Sequence, residues 1–289
     1  QTKEKSLSNS TVISIAKDAQ NRLWFGTKGN GANIYNPEED NFIRFNAAQQ
    51  PSGELATKYI WSMFTRLNGD LMLGTGESLD ILHFNKKNNH LIPDSLSRKK
   101  ICAENSDYKR LNLILSICQS NDSSCWIGTY GGLAKFDLTT QRFDLVLNEY
   151  EKEHPLARIK VWTVFEDKSH IVWVGTENGI YKFDEYKEKF RHYMSDQSKN
   201  KYNLTSNYIR GITSDTHGKF WIATNGNGFF SMIKKGEKLV FDKHYKHNPA
   251  DTNSLSNDFV KNIFVDSKGK IWLSTWGNGF DIFDEKQQT

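Results

Sequence analysis

Six short segments of the chain align on one another without a gap: "RLWFGT" (22–27), "DLMLGT" (70–75), "SCWIGT" (124–129), "IVWVGT" (171–176), "KFWIAT" (219–224) and "KIWLST" (270–275). Threonine closes every copy. Tryptophan holds the third position in all but the second, where Met72 stands. The residue before the threonine is always Gly, Ala or Ser. The anchors at 24, 72, 126, 173, 221 and 272 recur every 47 to 54 residues. A unit repeated at such a period cannot bury its apolar face alone, so it stacks on copies of itself.

Each copy has the same plan. Six residues before the anchor stands a polar residue: Asp18, Arg66, Ser120, Asp167, Asp215 or Asp266. An apolar-rich run such as "VISIAK", "IWSMFT", "VWTVFE" or "VKNIFV" precedes it. Between the two runs sit Asn21, Gly69, Gly218 and Gly269, which tolerate the positive φ of a tight hairpin. After the anchor come a glycine cluster and a third run: "ANIYN", "ILHFN", "LAKFD", "IYKFD", "FFSMI" or "FDIFD". The fourth runs read "FIRF", "HLIP", "FDLV", "FRHY" and "KLVF". Four short strands per unit, with no helical period over ten residues, predict the blades of an all-β propeller of four-stranded antiparallel blades. The repeats span about 7–46, 55–94, 111–147, 157–194, 204–245 and 255–289, read as a single propeller domain or propeller fragment over 1–289. Six copies fit either six blades or an arc of a seven-bladed ring.

The glycine clusters, such as "GTKGNGANIY" (26–35), look like phosphate loops. A phosphate loop must lead into a helix whose N-terminus holds the anion. Here the glycines lead into another strand, and Gly31, Gly132, Gly179, Gly228 and Gly279 close that turn. Nucleotide binding is therefore not expected.

The tryptophan column is expected to pack against the neighbouring blade. A small column in the first strand (Ser14, Ser62, Ser116, Thr163, Gly211, Asn262) is expected where inner strands crowd. Both are read as fold residues.

Composition narrows the function classes. Charged residues are 25% and net charge is only +4, with the densest basic patch, Arg98–Lys100, expected on a loop within a divergent linker (96–110). Such scattered charge argues against nucleic acid as a partner. No run approaches the roughly 18 apolar residues of a transmembrane helix. No leader pattern is present at the N-terminus, so an export signal is expected outside this chain. Cys118 and Cys125 occupy apolar columns, flanking one hairpin, and Cys102 lies in the linker. The eight histidines form no metal-binding motif. No metal site, cofactor or catalytic constellation is expected.

In a four-strand meander the second-to-third turns and the inter-blade linkers share one face. That face carries the expected ligand-binding residues: Tyr59, Trp61, Tyr130, Trp162, Tyr208, Arg210, Asn225 and Trp276. Aromatic platforms beside amides and charges suit sugars, which offer C–H faces for stacking and hydroxyls for hydrogen bonds.

The stretch "LSNDFVKNIFVDSKGKIWLSTWGNGFDIFD" (255–284) resembles the two-component regulator propeller repeat. The family plan has a Leu-Ser-Asn lead-in, an Asp-x-x-Gly turn, a Leu-Trp-x-Gly-Thr strand and an aromatic-Asp ending; this copy matches nearly throughout, with Ile-Trp-Leu-Ser-Thr (271–275) as its strand. "LSNSTVISIAKDAQNRLWFGTKGNGANIYNPEEDNFIRF" (7–45) is almost as close. The second copy departs most, with Met72 and "GTGESLD". The resemblance implies a periplasmic, non-catalytic sensor module of a hybrid two-component histidine kinase. In that family oligosaccharides from complex glycans, or other small ligands, are the expected partners. The remaining propeller and signalling domains of the same receptor, in a homodimer, are the other expected partners. A scaffold for protein interaction, or a propeller lyase or lactonase, are the alternatives.

Overall fold

The computed structural model describes residues 5–45, 55, 57–84, 93–102, 109–121, 123–146, 159–184, 189–193, 208–236 and 238–285. Blade I holds β1 (Val12–Lys17), β2 (Leu23–Thr27), β3 (Ala32–Asn36) and β4 (Asn41–Phe45). Blade II holds β5 (Ile60–Thr65), β6 (Leu71–Thr75), β7 (Leu79–His83) and β8 (Ser95–Lys99). Blade III holds β9 (Ile114–Asn121), β10 (Ser124–Thr129), β11 (Gly132–Asp137) and β12 (Arg142–Leu145). Blade IV holds β13 (Val161–Glu166), β14 (Val172–Thr176), β15 (Gly179–Asp184) and β16 (Lys189–Tyr193). Blade V holds β17 (Ile209–Ser214), β18 (Phe220–Thr224), β19 (Phe229–Lys235) and β20 (Lys238–Tyr245). Blade VI holds β21 (Val260–Val265), β22 (Ile271–Thr275) and β23 (Phe280–Phe283). Each sheet is an antiparallel meander with strands in sequence order; five are four-stranded, and blade VI has three strands among the described residues. The fold is the all-β propeller class. The chain divides into two compact units, 1–160 with blades I–III and 161–289 with blades IV–VI.

One strand differs from its sequence expectation. The fourth strand of blade II is Ser95–Lys99, not "HLIP", most of which lies outside the described residues. Arg98 and Lys99 are therefore in a strand rather than on a loop. Leu96 pairs with Leu82 across the ladder, and the Arg98 guanidinium grips the fully buried Asp80 at 3.0 and 3.2 Å. The polar sequence "SLSRK" hides a strand that one leucine and one ion pair hold in register.

The aromatic column does what its spacing implies. Trp24 is fully buried and meets Phe84 of blade II edge-on, with ring centroids 5.9 Å apart. Trp173 meets Phe220 of blade V at 5.1 Å, and Trp221 meets Phe283 of blade VI at 5.9 Å. Trp126 is also buried. Trp272 is only half-buried and packs on Phe280 of its own sheet. Met72 fills the missing tryptophan's place, fully buried in a cluster with Ile81, Cys125 and Phe136. All three cysteines are free thiols, and burial pushes the Cys125 thiol up to about 12.

Close approach explains the small residue before each threonine. A Cβ on Gly74 would lie 2.2 Å from Ser62 Oγ and 2.7 Å from Ile114 Cγ2 of the next blade. A Cβ on Gly175 would lie 2.5 Å from Thr163 Cγ2 and 2.7 Å from Ile209 Cγ2. The threonine closes the following turn. Its hydroxyl donates to a carbonyl three or four residues on: Gly31, Ser78, Gly132, Gly179, Gly228 and Gly279 in the six blades. Gly179 and Gly228 there have φ of 99° and 67° and press on backbone oxygens of Tyr193 and Tyr245, so a side chain has neither conformation nor room.

Candidate functional site

Every inner strand carries a β-bulge at the same place. The ladder slips between Val12 and Ser14, between Ile60 and Ser62, and around Leu115. It slips again between Val161 and Thr163, Ile209 and Gly211, and Val260 and Asn262. The residue left unpaired is Ile13, Trp61, Leu115, Trp162, Arg210 or Lys261. A bulge bends the strand and re-aims the extra side chain, so this column is free to vary while the ladder around it stays fixed. Three of the eight expected ligand residues, Trp61, Trp162 and Arg210, are bulge residues.

The second-to-third turns meet the lead-in of the following blade, which builds the face. In the first unit Gly31 N–H donates to Lys58 O at 2.9 Å, and Lys28 bridges to Tyr59. In the second, Gly228 N–H donates to Asp258 O at 2.8 Å, and Asn225 bridges to Phe259. The Leu-Ser-Asn lead-in has a physical role here. Asn9 Nδ2 donates to Lys28 O at 3.0 Å, while Asn9 Oδ1 accepts from Thr11 N–H at 2.8 Å. Asn257 makes the same pair with Trp276 O at 3.1 Å and Phe259 N–H at 2.8 Å. In these two blades one asparagine pins the lead-in to the turn of its own blade.

On this face the first unit groups its aromatics in two places. Tyr59 stacks on Trp61, with centroids 6.2 Å apart and planes 13° from parallel. Tyr130 lies under two cations, Lys160 at 4.7 Å and Arg110 at 5.8 Å from its ring centre.

The second unit brings three expected residues together. Trp162 stacks on Tyr208 at 5.7 Å, and the Arg210 guanidinium lies 3.9 Å from the Trp162 ring centre. Burial pushes the Arg210 guanidinium below its ordinary value, and Tyr208 offsets part of that. Asn225 joins through its backbone, donating to Tyr208 O at 3.0 Å. Trp276, 61% exposed, forms a second group with Phe259, 47% exposed, and with Lys261, whose Nζ lies 3.7 Å from the indole ring centre. Lys261, Phe259, Lys160 and Arg110 were not among the expected residues. Lys261 was within reach, because it aligns with Trp61, Trp162 and Arg210 in the repeat.

A separate cavity of about 460 Å³ lies in the second unit between the linker after β20 and β23, lined by His244, Tyr245, Asp251, Ser254, Asp281 and their neighbours. It contains none of the eight expected residues. Its polar groups are largely committed to the linker: Ser254 Oγ to Asn248 O, Asn248 N–H to Ser254 Oγ, and Ser256 to Asp281. The turn face, where aromatic rings and cations meet, is the better candidate. Among the described residues no group of three or more His, Cys, Asp or Glu is arranged to hold a metal ion. No helix there is long and apolar enough to cross a membrane.

Fold and site together define a repeat protein of the β-propeller class that, within each unit, displays cations on aromatic rings beside its second-to-third turns. The profile of the family described as two component regulator propeller matches residues 6–29, 203–226 and 254–277. Histidine kinase P4 of Formosa agariphila is 30% identical over 289 residues, covering 95% of this chain and 19% of that protein. An extracellular domain from B. thetaiotaomicron, described as part of a one component system, superposes with a TM-score of 0.64 at 20% identity, over 96% of this chain and 39% of that one. A second from that organism, described as part of a hybrid two component system, gives 0.54 at 21% identity over 96% and 40%. A streptogramin B lyase gives 0.66 at 15% identity over 99% and 84%, a likeness of fold alone. The chain belongs to the two component regulator propeller family. It spans about a fifth of the length of the histidine kinase it matches.

Proposed function

We propose that this chain is a ligand-sensing, non-catalytic propeller module on the extracytoplasmic, periplasmic side of a two-component receptor, and that it binds an oligosaccharide on its turn face. The observation that carries the reading is the Trp162–Tyr208 stack with Arg210 laid on it, held on a bulge where the ladder does not constrain the side chain. A broad ring surface beside charged and amide donors matches the two chemistries of a sugar. The similarity to a histidine kinase and to extracellular domains of signalling systems supports the receptor context. In the full-length protein, a homodimer, the bound state would bias the kinase through the remaining propeller and signalling domains.

The test is calorimetry or thermal shift of the full-length protein against a panel of plant and host glycan fragments. A ligand at 100 times its Kd stabilises the fold by about 2.7 kcal/mol. Trp162→Ala and Trp276→Ala should each weaken binding while far-ultraviolet circular dichroism stays unchanged. Binding that neither change alters would put the site elsewhere and leave this propeller as scaffold.

A further inference from the structure

Among the described residues, Arg210 is the turn-face cation whose surroundings define a ligand chemistry. Its guanidinium is pressed on the Trp162 ring at 3.9 Å, on an inner strand and largely out of water. Its Nε is buried and has no hydrogen-bond partner, as is the case for Trp162 Nε1. Among the described residues no carboxylate pairs with it: the second unit's ion pairs there join Lys219 to Asp242 and Glu285, Lys234 to Asp167, Lys246 to Asp258, and His170 to Glu166. Among the described residues, the polar neighbour that acts on it is the Tyr208 hydroxyl.

A guanidinium held away from water without a counter-charge is unfavourable, and proteins ordinarily supply a carboxylate to it. Lys261 occupies the equivalent bulge of the next blade and lies against Trp276, so a second positive charge borders the same face. The planar fork of an arginine recognises carboxylate or sulfate oxygens with paired N–H groups, while the adjacent ring takes the C–H face of a pyranose.

We propose that the ligand is an acidic oligosaccharide, whose anionic group, a uronic acid carboxylate or a sulfate ester, is held by Arg210 beside the Trp162–Tyr208 stack. This rests on the glycan reading above and narrows it.

The test compares three probes on the full-length protein: an oligogalacturonate fragment, the same fragment with its carboxyls reduced to alcohols, and a sulfated neutral oligosaccharide. Loss of a charged hydrogen-bonding group costs binding by about ten- to a hundredfold. The neutral fragment should therefore bind at least tenfold more weakly than one of the two anionic probes, and which anionic probe wins identifies the group. Affinity for that probe should fall with added salt. Arg210→Gln should lower its affinity to that of the neutral probe, and Arg210→Lys should recover part of the loss. Equal binding of acidic and neutral fragments overturns this inference while leaving the glycan reading intact. Binding of no fragment overturns both. An acid preference that survives in a folded Arg210→Gln protein removes the role from Arg210. If Arg210→Gln fails to fold, Arg210→Lys and the probe comparison on the parent decide.

Discussion

The indole N–H of Trp173 donates to Asp167 Oδ2 at 2.8 Å, and Lys234 Nζ from the neighbouring blade reaches the same oxygen at 2.6 Å. Asp167 Oδ1 accepts from the backbone N–H of Ser169 at 2.7 Å. One carboxylate thus fixes the hairpin turn, satisfies the buried tryptophan and ties blade IV to blade V. The same bond joins Asp18 to Trp24, Asp215 to Trp221 and Asp266 to Trp272. Asp167→Ala would leave a buried N–H without its acceptor and Lys234 without its partner. It should destabilise the protein by about 1.5–3 kcal/mol, the range for a lost bond to a charged group. Asp167→Asn keeps one acceptor oxygen and should cost less. A urea midpoint for Asp167→Ala that matches the parent's would show that the carboxylate does not join the blades.

The acid side of the stability profile follows from the same groups. Burial pushes the Asp167 carboxyl up, but Lys234, Trp173 and Ser169 together hold it below its ordinary value. For Asp70, burial is outweighed by His83, Asn68 and Arg66, and Asp242 is held down first by Lys219. With the folded value below the unfolded one, the unfolded chain takes up protons first. The stability these groups contribute is fully present above the unfolded carboxylate value of about 3.9 and is lost as pH falls through the lower folded values. Denaturant midpoints should drop steeply below about pH 4, and less steeply in Asp167→Asn. An acid limb unchanged by that substitution would remove Asp167 as a contributor.

How much of this was legible in the sequence depends on whether the repeat reports it. The blade plan and the tryptophan packing were, because six copies average out the variation at each column. The polar column six residues before the tryptophan was visible, yet its reason was not: the spacing between Asp167 and Trp173 becomes a hydrogen bond only after a tight turn folds one over the other. The strand at Ser95–Lys99 was illegible because its register depends on Asp80, fifteen or more residues away in sequence, and not on local alternation. That the second-to-third turns meet the inter-blade lead-ins follows from strand connectivity. The bulges were not, since a bulge leaves no mark in apolar spacing. That is why Lys261 escaped notice while Trp162 and Arg210, chosen for their chemistry, were included.

The contact between Gly175 and Thr163 yields a coupled prediction. The two residues face each other across β13 and β14, and in blade V the same pair is reversed in size as Gly211 facing Ala223. A methyl on Gly175 would fall 2.5 Å from Thr163 Cγ2. Gly175→Ala alone should therefore destabilise by about 1–3 kcal/mol, the range for overpacking. Adding Thr163→Gly recreates the blade V pair and should recover part of the loss. Contacting residues typically couple by about 0.5–3 kcal/mol in a double-mutant cycle. Strictly additive effects would mean that Thr163 is not what limits the size of position 175.

His192 and His244 occupy matching places on the fourth strands of blades IV and V. His192 stacks on Tyr181 at 3.9 Å and donates to Asn178 O at 2.7 Å. His244 stacks on Phe230 at 4.3 Å and donates to Asn227 O at 2.8 Å. Both therefore brace the turn that carries the candidate face. Burial pushes both imidazoles below the ordinary value of 6.5, and the bond to the carbonyl offsets only part of it. A folded value below the unfolded one means that the unfolded chain protonates first as pH falls. These two groups should thus cost stability progressively from about pH 7 downward until the folded imidazoles themselves protonate. His192→Gln with His244→Gln keeps a donor to each carbonyl and removes the titration. The urea midpoint of that double variant should fall less than the parent's between about pH 7 and pH 5. Parallel profiles over that range would mean that neither imidazole is held neutral by its stack.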